Sequence, residues 1–201
     1  MNLPNKITLT RIFMIPVFIL VFFLNDILPF AFGIAAIIFA VAACTDFIDG
    51  HIARSRGLVT NLGKFLDPIA DKVLVSTAMI LLLTLKESIC LIVGNDWIYV
   101  VMAISICVIM ARELIISAFR QIAAARGLVL AAEKLGKYKT TFQDVSIFVI
   151  LFAVGLFTVK AWEVGEVMLW IGLVLFAVAT VLTVWSGISY VVKNKQVLKD
   201  A

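Results

Sequence analysis

The sequence predicts an all-α integral membrane protein, a single domain over residues 1–201 with six transmembrane helices and both termini on the cytoplasmic side. Three observations point there. The chain is 63% hydrophobic and only 15% charged, whereas a soluble domain is about 45–50% apolar and about 25% charged. Its mean hydropathy of +1.13 agrees. The apolar residues gather into six runs, each able to cross a hydrocarbon core that needs about 20 residues. The basic residues lie almost wholly on one side of those runs.

The runs fall at 7–24, 30–56, 64–85, 97–126, 138–159 and 165–192. "LNDILP", "KESICLIVGND", "RGLVLAAEKLGK" and "VKAWEVGE" break them. The opening "MNLPNKITLTRIFMIP" lacks the small-residue cleavage site of a secretory signal, so the first helix is expected to remain. With the N-terminus inside, the outer loops hold only Lys86 and Lys160 of the 17 Lys and Arg. They also hold Asp26, Glu87, Asp96, Glu163 and Glu166. This asymmetry sets the orientation. The basic tail "KNKQVLKD" should meet anionic headgroups. The net charge of +4 therefore reads as a membrane-surface feature, with no nucleic-acid partner. Cys44, Cys90 and Cys107 show no CxxC spacing and read as small buried thiols. His51, the lone histidine, gets no role.

One stretch interrupts the apolar pattern: "DFIDGHIARSRGLVTNLGKFLDPIAD", Asp46 to Asp71. The second helix starts outside near Pro29 and reaches the inner interface near Asp46 and Asp49. The third starts from the inner loop with Asp67 and Asp71. Both pairs arrive at one depth. At about 100° per residue, Asp46, Asp49, Gly50, Ala53 and Arg54 share a face of the second helix. Gly63, Asp67 and Asp71 share a face of the third. Pro68 either begins that helix, with Asp67 as cap, or kinks one already under way.

Each buried aspartate costs roughly 2.5–3.5 kcal/mol at the bilayer centre, less at the interface, and the four repel one another. Two divalent cations would balance four carboxylates. An all-oxygen donor set suits Mg2+ or Mn2+ rather than zinc. Two such ions about 3.5–4 Å apart polarise phosphate oxygens and activate an attacking hydroxyl. Pairing with Arg54, Arg56, Lys64 and Lys72 is the plainer reading of the four acids. Gly50, Ala53 and Gly63 serve either close helix packing or ligand access.

Asp46-x2-Asp49-Gly50-x2-Ala53-Arg54-x8-Gly63-x3-Asp67-x3-Asp71 resembles, without a gap, the signature of the CDP-alcohol phosphotransferase family. "NLPNKITLTRIFMIPVF", "GKFLDPIADK", "ARELIISAFR" and "LGKYKT" look like the branch whose acceptor is sn-glycerol 3-phosphate. The resemblance covers most of the chain; the last helix is its least distinctive part. It implies a six-helix membrane fold, a homodimer, and a polar cavity open to the cytoplasm. It implies CDP-diacylglycerol and glycerol 3-phosphate as substrates, with phosphatidylglycerol phosphate and CMP as products. Asp46, Asp49 and Asp67 would be metal ligands. Asp71 would be a ligand or neighbour of the metals and the general base. Gly50, Ala53, Arg54 and Gly63 would line the CDP site.

A phosphorylated acceptor needs cations of its own. Arg112 and Arg120 are eight residues apart on the fourth helix, and Lys137 and Lys139 open the fifth from the same side. Arg112, Arg120 and Lys137 are the expected grip on the acceptor phosphate, with Lys139 in reserve. Ordinary inner-side charge is the alternative. It is weakest for Arg112, deep in an apolar stretch, although Glu113 beside it could partner it. A cardiolipin synthase of the same fold, accepting on phosphatidylglycerol, is the competing reading within the family. A metal-ion transporter competes from outside it, but would place polar residues near mid-membrane rather than at one face.

Overall fold

The computed structural model describes residues 3–55, 61–125 and 134–198. They form α1 (Leu3–Phe22), α2 (Ala31–Ser55), α3 (Asn61–Thr84), α4 (Lys86–Val93), α5 (Asp96–Ala125), α6 (Lys134–Thr158) and α7 (Trp162–Lys193). A 3-10 turn at Lys195–Leu198 follows, and the described residues contain no strand. The predicted helices are therefore present, with ends shifted by a few residues.

Asp96–Ala124, Gly136–Thr158 and Trp162–Lys193 are long and apolar enough to cross a membrane. Ile69–Thr84 with Lys86–Val93 adds a fourth span if that pair, bent by 63°, is counted as one. Among the described residues, the first two helices contribute the shorter apolar stretches Thr8–Phe22 and Ala31–Thr45.

Two expectations need correcting. The break at 86–96 contains a helix. In α4, Ile89 and Ile92 turn into the core while Leu91 faces outward. Gly94 then ends it in the left-handed conformation (φ 69°), its N–H donating to the Cys90 carbonyl at 2.8 Å. Asn95 Oδ1 accepts from the Trp97 N–H at 2.9 Å and caps α5. The second correction concerns the thiols. Cys44 and Cys107 are exposed and Cys90 is half-buried. An apolar run here faces lipid as often as core, so apolar neighbours do not imply burial. Pro68 lies within α3, which is already under way at Asn61.

The core lies where α2 meets α1 and α6, and where α6 runs along α7. Phe18 and Phe39 meet at 6.0 Å with their rings tilted by 45°, and Phe22 meets Phe32 edge-on at 5.0 Å. Ala35, Ala36 and Ala42 keep α2 thin between its neighbours. At the end of α2 away from Asp46 and Asp49, a Cβ on Gly155 would stand 2.4 Å from the Gly33 nitrogen and 2.8 Å from its Cα. The two backbones touch there. Phe30, at φ 66°, lays its ring over Gly33 and against Phe152, 5.3 Å away. This contact sets α2, which carries Asp46 and Asp49, against α6, which carries Lys137 and Lys139.

Gly155→Val should separate these helices. Overpacking costs about 1–3 kcal/mol, and a thermal melt of the purified protein in detergent should show the lower midpoint.

Candidate active site at one end of the bundle

Asp71, Arg112, Arg120, Lys137 and Lys139 line one cleft of about 260 Å3. Lys72, Glu113, Gly136, Thr140, Ser186 and Tyr190 complete it. Four helices contribute: α3, α5, α6 and α7. Helical spacing explains the convergence on α5. Arg112 and Arg120 are eight residues apart, a little over two turns, and so come to one side. Lys137 and Lys139 stand one turn into α6 but have different fates. Lys137 is exposed, whereas Lys139 is only 2% exposed.

The charges are ordered by specific partners. Arg112 Nη1 pairs with Glu113 Oε1 at 2.9 Å. Arg112 Nη2 donates to Ser186 Oγ at 3.0 Å. Lys139 pairs with the same Glu113 oxygen. Arg120 Nε donates to the Tyr190 hydroxyl at 3.2 Å, and its guanidinium lies 5.2 Å from that ring's centroid. Tyr190 is held in turn by Phe119, edge-on at 6.0 Å. Among the described residues, neither Arg120 nor Lys137 has a carboxylate partner. Lys72 donates to Ser117 Oγ, whose own hydroxyl donates to the Glu113 carbonyl at 2.6 Å. A smaller pocket beside the cleft is walled by Asp71, Met79, Glu113, Lys139, Gln143 and Asp144.

Asp46 and Asp49 fall in the last turns of α2, and Asp67 precedes Asp71 by one turn of α3. Helices α2 and α3 contact each other. The side chains of Asp46, Asp49, Asp67, Gly50, Ala53, Arg54 and Gly63 lie outside the described ones. Of the expected metal ligands, only the Asp71 side chain is described; it is half-buried and has a partner. Among the described residues no three His, Cys, Asp or Glu form a metal cluster. The donor set on α2 and α3 remains all carboxylate, which fits a hard divalent cation.

The sequence reading passed over Ser186 and Tyr190. Their signal was present: Thr183, Ser186, Gly187 and Tyr190 form one stripe of an otherwise apolar α7, and all four are buried. Arg11, counted only as inner-side charge, is 1% exposed. Chemically, the cleft can bind a small anion through several cations beside a carboxylate able to take a proton.

Comparison with known proteins bears on this arrangement. The CDP-alcohol phosphatidyltransferase family model matches residues 1–185. The chain is 36% identical to the CDP-diacylglycerol–glycerol-3-phosphate 3-phosphatidyltransferase of Bacillus subtilis, over 100% of this chain and 98% of that protein. It is 38% identical to the protein of the same name from Rickettsia bellii, covering 94% and 93%. It is 39% identical to that of Salmonella paratyphi A, covering 94% and 92%.

The two lysines should separate by stability. Lys139→Met breaks a buried ion pair and should lose about 1–3 kcal/mol, whereas Lys137→Met should leave the melting temperature unchanged.

Proposed function

The chain belongs to the CDP-alcohol phosphatidyltransferase family, and from that premise we propose that it transfers the phosphatidyl group of CDP-diacylglycerol to sn-glycerol 3-phosphate. The products are phosphatidylglycerol phosphate and CMP. It is a multi-pass membrane enzyme of phospholipid synthesis. The observation that carries the substrate reading is the cleft, which sets Arg112, Arg120 and Lys137 beside Asp71. A phosphate monoester is a dianion, and such a group of cations suits it.

In this reading Arg112, Arg120 and Lys137 hold the acceptor phosphate, with Lys139 in reserve. Asp71 accepts the proton of the acceptor hydroxyl, whose oxygen attacks the phosphorus bearing the diacylglycerol. The bond to CMP breaks and CMP departs with the electron pair. No protein nucleophile is required, since positioning and electrostatics suffice for phosphoryl transfer. Gly50, Ala53, Arg54 and Gly63 line the CDP site. Asp46, Asp49, Asp67 and Asp71 would hold two divalent cations, Mg2+ or Mn2+, which when bound neutralise charge on the donor pyrophosphate and the leaving CMP.

The full proposal is six spans, both termini inside, and a homodimer in the cytoplasmic membrane with the cleft facing the cytoplasm. The excess of Lys and Arg on the inner side supports the orientation. Six spans require α1, Leu3–Phe22, and α2, Ala31–Ser55, to cross as well.

The deciding experiment supplies the purified protein with CDP-diacylglycerol and, in turn, glycerol 3-phosphate, glycerol and phosphatidylglycerol. Glycerol 3-phosphate should give phosphatidylglycerol phosphate. Chelator should abolish turnover, and Mg2+ or Mn2+ should restore it. Turnover with phosphatidylglycerol alone would overturn the acceptor assignment. Asp71→Asn tests the base: turnover should fall at least about 10²–10⁴-fold while CDP-diacylglycerol still binds. Near-normal turnover would remove Asp71 from that role.

A further inference from the structure

Glu113 carries negative charge into a cleft suited to an anion. That is unfavourable for a phosphate unless the carboxylate orders something else. Its Oε1 serves two cations at once, Arg112 Nη1 at 2.9 Å and the Lys139 ammonium from α6. Neighbouring helix residues point about 100° apart, so Arg112 and Glu113 would diverge without a reason to turn back. Arg112 has an alternative. It also borders an apolar groove between α5 and α7, lined by Val108, Ile115, Val184 and Ile188. Two contacts hold its head at the polar side: Glu113 on Nη1 and Ser186 on Nη2. Gly187 makes room, since a Cβ there would stand 3.0 Å from Arg112 Cγ. The Arg112 Nε is buried and has no partner among the described residues, so the two Nη contacts alone hold the head group.

We infer that Glu113 is a positioning residue: it fixes the Arg112 guanidinium at the cleft for the acceptor phosphate, and buried Lys139 anchors Glu113 in turn. This rests on the acceptor site proposed above. Lys139 then acts through the carboxylate. With 2% exposure and Glu113 as partner, it is tied to the wall of the cleft, whereas exposed Lys137 is free to reach a substrate.

The test is steady-state kinetics of the full-length protein, varying each substrate separately. E113Q keeps the size but loses the charge that holds both cations. Its KM for glycerol 3-phosphate should rise about tenfold or more, with the KM for CDP-diacylglycerol within about twofold of wild type. A merely structural role would move both together. An unchanged acceptor KM, or equal rises in both, overturns the inference. E113D keeps the charge on an arm one methylene shorter, and decides the matter if E113Q does not fold. A selective rise in its acceptor KM at the wild-type melting temperature supports the role, and a wild-type KM overturns it. Wild-type protein that makes no product from glycerol 3-phosphate overturns the function reading instead. Calorimetric titration with inorganic phosphate then decides the inference: weaker binding by E113Q supports it, and equal binding overturns it.

Discussion

The Glu113 carboxylate, shared by Arg112 and Lys139, is the interaction on which the polar end of this bundle depends. An ammonium as buried as that of Lys139 cannot stand alone in apolar surroundings, because its lost hydration costs several kcal/mol. Glu113 supplies the compensating charge. In doing so it ties α5 to α6, and through Arg112 and Ser186 it ties both to α7. One anion thus links the three helices that, among the described residues, are long and apolar enough to cross a membrane. Asp71 reaches the same cleft from α3.

That arrangement needs helices that approach closely, and small residues allow it. Gly33 and Gly155 let the backbones of α2 and α6 touch, and Gly172 lets α7 meet α6 at Ile150. Gly187 works differently. It accommodates a side chain, the Arg112 stem, rather than a backbone. Without a hydrophobic drive between helices in lipid, such contacts and the polar pairs must supply the association. The end of the bundle away from the cleft is accordingly held by glycine and aromatic packing, and the cleft by charge.

The sequence made the helical class legible because apolar runs of membrane length have few other meanings. It also made the gathering of cations in the cleft legible, since eight-residue spacing brings Arg112 and Arg120 together on any regular helix. What it hid follows from physics. Helix α4 was masked because eight amphipathic residues beside Gly94 look like a turn when read as a break between spans. Lys137 and Lys139 look alike in "KLGKYKT", yet they point to different sides of α6, and only packing decides which is buried. Ser186 and Tyr190 were missed because a hydroxyl in an apolar helix hardly alters its hydropathy. The four-residue stripe would have shown them. The Asp46–Asp71 motif remains a sequence argument, since most of its side chains lie outside the described residues.

Helix α2 leaves its apolar run at Asp46 and Asp49 before ending at Ser55, and α3 carries Asp67 and Asp71 ahead of its own apolar run. A carboxylate there is near water and headgroups, where its cost is least. The chemistry asks for the same depth. A lipid donor keeps its acyl chains in the bilayer and its phosphates at the interface, while a glycerol phosphate arrives from water. Only a site at that boundary meets both without dragging a dianion into hydrocarbon. Placing the acidic turns of α2 and α3 at helix ends, rather than mid-span, is therefore what suits such a site to two substrates of opposite solubility.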